Sequence, residues 1–315
     1  MIIEIINDIN THLTIDLFNP HTSGFIVSSI DGLGAPVADI NMDARATGDG
    51  SRYNSSRREG RNIVFNLLFD ENTRRIEDTR RVCYRIFPVG HKVHLTFRTN
   101  NRVCTTSGYV ETNTPNIFSD KEGAQISILC ENAYFNAEGD ELFDFSGVTN
   151  NFEFPFDNNS LSQNLIEFST LYKLFEANVF NDGDADTGFV MRIKFKETVS
   201  NLVVTNKSSL KKRWYTYSDG GTPVIEYDLV PTSVSFFPDM TGYSFNSGCE
   251  LVYISLPNQK NCWAYNYNGA TWNLLAYIEG DWLRLIRGDN IIEVTGTGLN
   301  ESEISITYPL QYAGV

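Results

Sequence analysis

Hydrophobic and polar positions alternate through most of the 315-residue chain. In residues 62–69, Ile63, Phe65, Leu67 and Phe69 fall on one face. Val93, Leu95 and Phe97 do the same in residues 91–99, so both segments predict half-buried strands. Residues 105–112 and 125–131, the latter with Ile126, Ile128 and Cys130 in phase, predict two more, joined by a loop holding Pro115 and Gly123. Between the first two strands the period changes. Ile76, Thr79, Cys83, Ile86 and Phe87 recur at three and four, which predicts a helix over about 72–87 with Asn72 as N-cap and Pro88 and Gly90 as its stop. Its other face displays Arg74, Arg75, Arg81 and Arg85, and Glu77 stands four residues before Arg81, the order that suits an intrahelical ion pair.

Beyond residue 140 the pattern shortens. Nine strands are predicted at 172–180, 188–196, 202–205, 214–217, 224–230, 251–256, 262–267, 291–295 and 304–308. Turn chemistry separates them: Asn-Asp-Gly at 181–183, Ser-Asp-Gly-Gly at 218–221, Pro-Asn at 257–258, Asn-Gly at 268–269 and Gly-Asp-Asn at 288–290. The expectation is a mainly β chain of two domains. Residues 1–140 form a sheet with one helix, an α+β domain, and residues 141–315 an all-β sandwich of jelly-roll or lectin-like type.

Composition narrows the class. With 41% hydrophobic and 13% aromatic residues, extended disorder is excluded. No run approaches the ~18 apolar residues of a membrane helix, and residues 1–17 are acidic rather than basic then apolar, so neither a span nor a signal peptide is expected. The five cysteines, Cys83, Cys104, Cys130, Cys249 and Cys262, form no C-x-x-C pair and fit neither a disulfide framework nor a zinc ribbon; they suggest folding in a reducing cytoplasm. The net charge of −14 argues against a nucleic-acid surface over the whole molecule. Residues 45–102 nevertheless hold 13 basic against 6 acidic side chains. This arginine block has three readings: DNA contact, pairing with an acidic neighbouring subunit, or a solvated helix face. Its mixture with Asp70, Glu71, Glu77 and Asp78 favours subunit pairing over DNA.

Candidate chemistry is sparse. His91 and His94 lie three apart in a strand and so face opposite ways, which speaks against a shared metal. Asp182, Asp184 and Asp186 alternate as in a calcium loop, but the glycine falls one position late and Ile193 stands where a bidentate Glu belongs, so a hairpin turn is expected. No nucleophile elbow, zinc-helix or phosphate-loop motif occurs, and the paired carboxylates Glu226 and Asp228 are one coincidence among 39 acidic residues. Neither catalysis, nor a metal, nor a cofactor is expected. Trp214, Trp272 and Trp282 are the candidates for stacking on a glycan; for Trp263, Tyr265 and Tyr267 the favoured reading is one strand face packed into the core.

One segment is distinctive: Gly32, Leu33, Gly34 and Pro36 in a glycine-rich turn at 30–41, then Gly50, Arg52 and Tyr53, then Arg57 and Arg58 leading into the strand at 62–69. It resembles the distal tail protein (Dit) family of long-tailed bacteriophages, whose first domain reads G-L-G-x-P and then a G-x-x-Y arm. Residues 125–135, 181–188, 201–206, 280–290 and 308–315 resemble the family too, so the likeness spans nearly the whole chain. The resemblance implies a non-enzymatic virion protein at the tail tip: a homohexameric ring built by the first domain, with galectin-like second domains projecting outward. Such a hub joins the tail tube protein to baseplate or tail-associated proteins and leaves a channel through which DNA passes. Under this reading Gly32, Leu33, Gly34, Pro36, Arg52, Tyr53, Arg57 and Arg58 on the turn and the arm at about 43–61, with Arg74 and Arg81 near the helix, contact neighbouring subunits. Residues 233–249, with Pro238, Gly242 and Gly248, look inserted in the sandwich and offer a docking surface for a receptor-binding protein or a host cell-wall glycan. The alternative is an adhesin that binds carbohydrate through the sandwich.

Overall fold

The computed structural model describes all residues except 151–168, 174, 220–221, 238–241, 267 and 300–301. The chain forms two compact units, Met1–Gly139 together with Gln311–Val315, and Asp140–Leu310. The mainly β class expected from the sequence is the one observed, with one α-helix among the described residues.

The strands of the first unit are β1 (Ile2–Asn7), β2 (His12–Asp16), β3 (Phe25–Asp31), β4 (Ala38–Ala44), β5 (Ser51–Arg58), β6 (Arg61–Phe69), β7 (Lys92–Arg98), β8 (Val103–Asn116), β9 (Gly123–Cys130) and the first part of β10 (Phe135–Asp144). They pair antiparallel in the order β2-β1-β7-β8-β9-β6-β3, with β10 also beside β8. Alternation places Ile3, Ile5, Phe65, Leu95, Phe97 and Ile126 inside. Phe65 stacks at 6.4 Å on Phe97, which meets Phe135 edge-on at 5.7 Å. Helix α1 (Ile76–Ile86) closes this core with Thr79, Cys83 and Ile86.

The helix starts later than the sequence predicts, with Arg75 rather than Asn72 at its N-cap position. Asn72 turns back to Asp70, whose Oδ1 accepts from both its backbone N–H and its carboxamide. Residues 70–73 are thereby held as a polar turn in front of the helix. Glu77 and Asp78 in the first turn complement the helix dipole.

The second unit contains β11 (Ser146–Asn150), β12 (Ser169–Lys173), β13 (Glu176–Asn181), β14 (Val190–Lys194), β15 (Ser200–Asp219), β16 (Thr222–Phe236), β17 (Glu250–Leu256), β18 (Gln259–Tyr265), β19 (Thr271–Asn273), β20 (Ile278–Gly280), β21 (Gly288–Thr297) and most of β22 (Glu303–Tyr312). One antiparallel sheet runs β19-β18-β17-β14-β22 and a second β13-β21-β15-β16-β20. Tyr253 of β17 meets Phe236 of β16 edge-on at 6.1 Å, joining the two inner faces, and its buried hydroxyl accepts from the Leu283 N–H. The predicted strands at 202–205 and 214–217 are one 20-residue strand, β15, that continues past the core.

Candidate functional site

The glycine-rich turn after β3 is organised by one buried cation. Arg61 opens β6 on the same parity as Ile63 and Phe65, so its side chain enters the interior, where it is 5% exposed. Its Nη1 donates to the carbonyls of Gly32 and Gly34, the latter at 2.6 Å. Nη2 donates at 2.8 Å to Ala133 and to Ala313, and Nε donates to Ala133 at 3.2 Å. The guanidinium lies 4.1 Å from the centre of the Phe135 ring. Burial lowers its pKa, yet a guanidinium stays charged at any ordinary pH, and the converging carbonyls replace the water it has lost.

This clasp fixes the expected contact residues at the root of the arm. Gly32 sits at φ +84°, and a Cβ there would fall 2.0 Å from the Asn62 carbonyl oxygen, so no other residue fits. Leu33 packs on the core of the unit, and its carbonyl accepts from the Val315 N–H at 3.1 Å. Gly34 faces open space and Pro36 is half-buried.

From this root β4 and β5 form a separate two-stranded hairpin in which every residue is exposed. Pairing sets Asp39 against Arg57, Met42 against Tyr53 and Asp43 against Arg52, with a bulge between Asn41 and Met42. One face is polar: Arg57 Nε meets Asp39 at 3.2 Å, and the Asn54 carboxamide meets Asp43 at 2.6 Å. The other carries Ile40, Met42 and Tyr53, each more than half exposed. Arg58, at the end of β5, lies 5.6 Å from the Tyr134 ring centre. The hairpin is thus amphipathic, with no core of its own to cover.

Part of the arginine block is paired within the unit. Arg74 precedes the helix, and its Nη2 donates to the Ser23 carbonyl at 2.7 Å. Arg80 pairs with Glu122 in a half-buried bridge that holds the Glu122 carboxyl below its ordinary pKa. Arg98 is gripped by Glu4 and Glu138. Arg81 is exposed and lies 3.8 Å from Asp78, three residues back, so Asp78 takes the place predicted for Glu77. Arg52, Arg75 and Arg85 make no ion pair among the described residues.

The three candidate tryptophans of the second unit stand in three different settings. Trp282 is half-buried and stacks at 5.4 Å on Tyr253. Trp214 is exposed on the extension of β15, 4.9 Å from Tyr227 across the strand pair. Trp272, on β19, borders a pocket. The reading of Trp263 and Tyr265 as a core face is corrected. Cys262 and Ala264 point inward, because Cys262 lies opposite the buried Tyr253 and Ala264 opposite the buried Leu251, which leaves Trp263 half-buried and Tyr265 exposed. Tyr267 lies outside the described residues.

Within the segment 233–249, residues 233–236 complete β16, Pro238 lies outside the described residues, and Gly242 and Gly248 take positive φ. His91 sits 3.1 Å from the Asp8 carboxylate, while His94 is exposed on β7. Asp186 accepts from the Arg287 N–H. Asp228 pairs with Arg213, and Glu226 accepts from the Tyr215 hydroxyl. Among the described residues no group of three or more His, Cys, Asp or Glu is placed to hold a metal.

The same extension of β15 and β16 forms a second hairpin. Lys212 pairs with Leu229, Trp214 with Tyr227 and Thr216 with Ile225, giving an exposed apolar face; Arg213 with Asp228 and Tyr215 with Glu226 occupy the other. At its root, where the register shifts after Asn206, that residue is fully buried. Its carboxamide donates to the Arg284 carbonyl at 2.7 Å and to Asn290, and its oxygen accepts from the N–H groups of Ser208 and Ser209.

No family model matches the chain, and no curated protein sequence does. Among solved structures it is similar to the Dit protein of phage SPP1, described as a paradigm of the hub adsorption apparatus in phages infecting Gram-positive bacteria. That likeness has a TM-score of 0.59 at 14% identity and covers 98% of each chain. The phage p2 baseplate in its activated conformation with strontium matches at a TM-score of 0.40, 11% identity and 97% coverage of each chain. The corresponding structure with calcium matches at 0.39, 10% and 98%. The chain therefore has a Dit-like fold along its whole length.

Proposed function

We propose that this chain is a structural hub protein of a phage tail tip, in which the first unit closes a homohexameric ring between the tail tube and the baseplate or tail-associated proteins, around a channel for DNA. The observation that carries this reading is the Dit-like fold over 98% of both chains, a likeness to a protein described as an adsorption hub. Supporting it, the hairpin β4–β5 is exposed on both faces, amphipathic and rigidly rooted, which suits an arm that packs its Ile40, Met42 and Tyr53 face on a neighbouring subunit. Arg52 on the arm and Arg75 and Arg85 at the helix, which are among the arginines without an ion pair, would meet carboxylates of that neighbour, for which a chain of net charge −14 has many. The virion is then its location.

The test is the mass of the purified chain by light scattering at high concentration, followed by negative-stain imaging of the same peak. A six-fold ring with a central hole is expected. A variant lacking residues 44–56 should stay folded and lose the ring; an intact ring from that deletion would refute the arm's role.

A further inference from the structure

We infer that the second unit carries a binding pocket for an uncharged saccharide, centred on Trp272 and independent of the other two candidate tryptophans. The pocket has a volume of about 250 Å³. Its floor is apolar and buried, with Phe245 and Leu274 each at 4% exposure. Its rim is aromatic and wet: Tyr243, Trp272 and Tyr277 are 55%, 47% and 38% exposed.

Three rings on one side are held as a set. Phe237 lies 5.6 Å from Tyr243 and 5.8 Å from Tyr277, and its N–H donates to the Tyr277 carbonyl at 2.8 Å. Phe237 adopts φ +56°, a conformation costly for a bulky residue, so the surrounding contacts pay to keep this ring where it is.

The occupant follows from what the lining offers and what it lacks. Among the described residues no charged side chain lines the pocket, in a chain where one residue in five is charged. A phosphate, a carboxylate or a nucleic-acid backbone would find no counter-ion there. Ser244 and Asn246 line it too, and with Tyr243 and Tyr277 they are neutral hydrogen-bonding residues of the kind that suits hydroxyl groups. Flat rings beside a few neutral hydrogen-bonding groups match a pyranose, which presents a C–H face and an equatorial fringe of hydroxyls. A volume of about 250 Å³ suits a small ligand of about one sugar unit.

The experiment uses the full chain and ligand-observed NMR with glucose, galactose and N-acetylglucosamine, each as monosaccharide and disaccharide, and with glucose phosphate as a charged comparison. At least one neutral sugar should bind saturably, with Kd of about 1 mM, and bind at least about tenfold more weakly to Trp272→Ala. Tyr243→Ala should weaken it in the same direction, which covers the case in which the tryptophan variant does not fold. Trp214→Ala and Trp282→Phe should leave binding unchanged. Absence of saturable binding by every neutral sugar overturns the inference, as does binding unaffected by Trp272→Ala and Tyr243→Ala. Equal binding of glucose phosphate, or occupation of the pocket by a Phe- and Pro-containing peptide where sugars fail, overturns it as well. Ring assembly is not an input to any of these outcomes, so the proposal and the hub reading fail separately.

Discussion

Each unit extends one amphipathic hairpin into solvent, and the two are rooted by different chemistry. The arm β4–β5 is an independent ribbon, and its root is a buried guanidinium spread over four carbonyl groups. The extension of β15 and β16 is continuous with core strands, and at its root the carboxamide of Asn206 closes a bulge flanked by the ion pairs of Lys207 with Glu176 and Glu293 and of Lys211 with Asp281. The described side chains of the arm are all exposed and those of the extension mostly so, which leaves the direction of each to its root. A ribbon detached from its sheet needs several backbone segments pinned at once, which a planar five-donor cation does well. A strand that overruns its sheet keeps its ladder and needs only its bulge closed, which the Asn206 carboxamide and the two lysine ion pairs beside it do.

The contrast can be broken unit by unit, because all four tryptophans, Trp214, Trp263, Trp272 and Trp282, belong to the second unit and report on it alone. The largest effect is expected from Arg61→Ala. It leaves the carbonyls of Gly32, Gly34, Ala133 and Ala313 without this donor and should cost about 3 kcal/mol or more. Denaturant unfolding followed by far-UV circular dichroism should then show an early transition that tryptophan fluorescence does not register. A fluorescence midpoint that moves equally would mean the two units unfold as one.

Asn206→Ala should cost about 2 kcal/mol and do the reverse, moving the fluorescence midpoint while the first unit's transition stays in place. The smallest stability effect, below about 0.5 kcal/mol, is expected from serine at Ile40, Met42 and Tyr53, or at Leu210, Trp214 and Leu229, since all six are exposed. Assembly separates these two sets: only the first should abolish the six-fold ring. Loss of the ring from the second set alone would exchange the roles of the two arms.

Strands and core residues were legible because alternation reports directly on which side chains face inward. The turns in the second unit were legible for a related reason, since Asn-Gly and Asp-Gly steps mark where a strand must reverse. Both arm roots escaped notice, although each left a trace of the same kind. Arg61 continues the inward parity of Ile63, Phe65 and Leu67, and Asn206 continues that of Leu202 and Val204. A polar residue in phase with a buried apolar run is either a strand end or a buried polar hub, and sequence alone does not say which carbonyls will converge on it.

The helix start was misplaced because Asn72 is a good cap in isolation, while Asp70, two residues earlier, offers its N–H a better partner. On β18 the large rings of Trp263 and Tyr265 suggest the inward face, whereas the small Cys262 and Ala264 take it. Opposite the buried Tyr253 there is room only for a small side chain, Cys262.

The return of Gln311–Val315 to the first unit has a genetic consequence. Residues Asp140–Leu310 form a cassette written inside the first unit's reading frame, with two junctions rather than one. A stop codon anywhere in that cassette deletes Ala313 and Val315, the partners of Arg61 and Leu33, and so damages a module whose own codons up to Gly139 are intact. Exchange of the cassette between related genomes preserves the first unit only when both crossovers occur, which couples the inheritance of the codons for Gln311–Val315 to that of the arm.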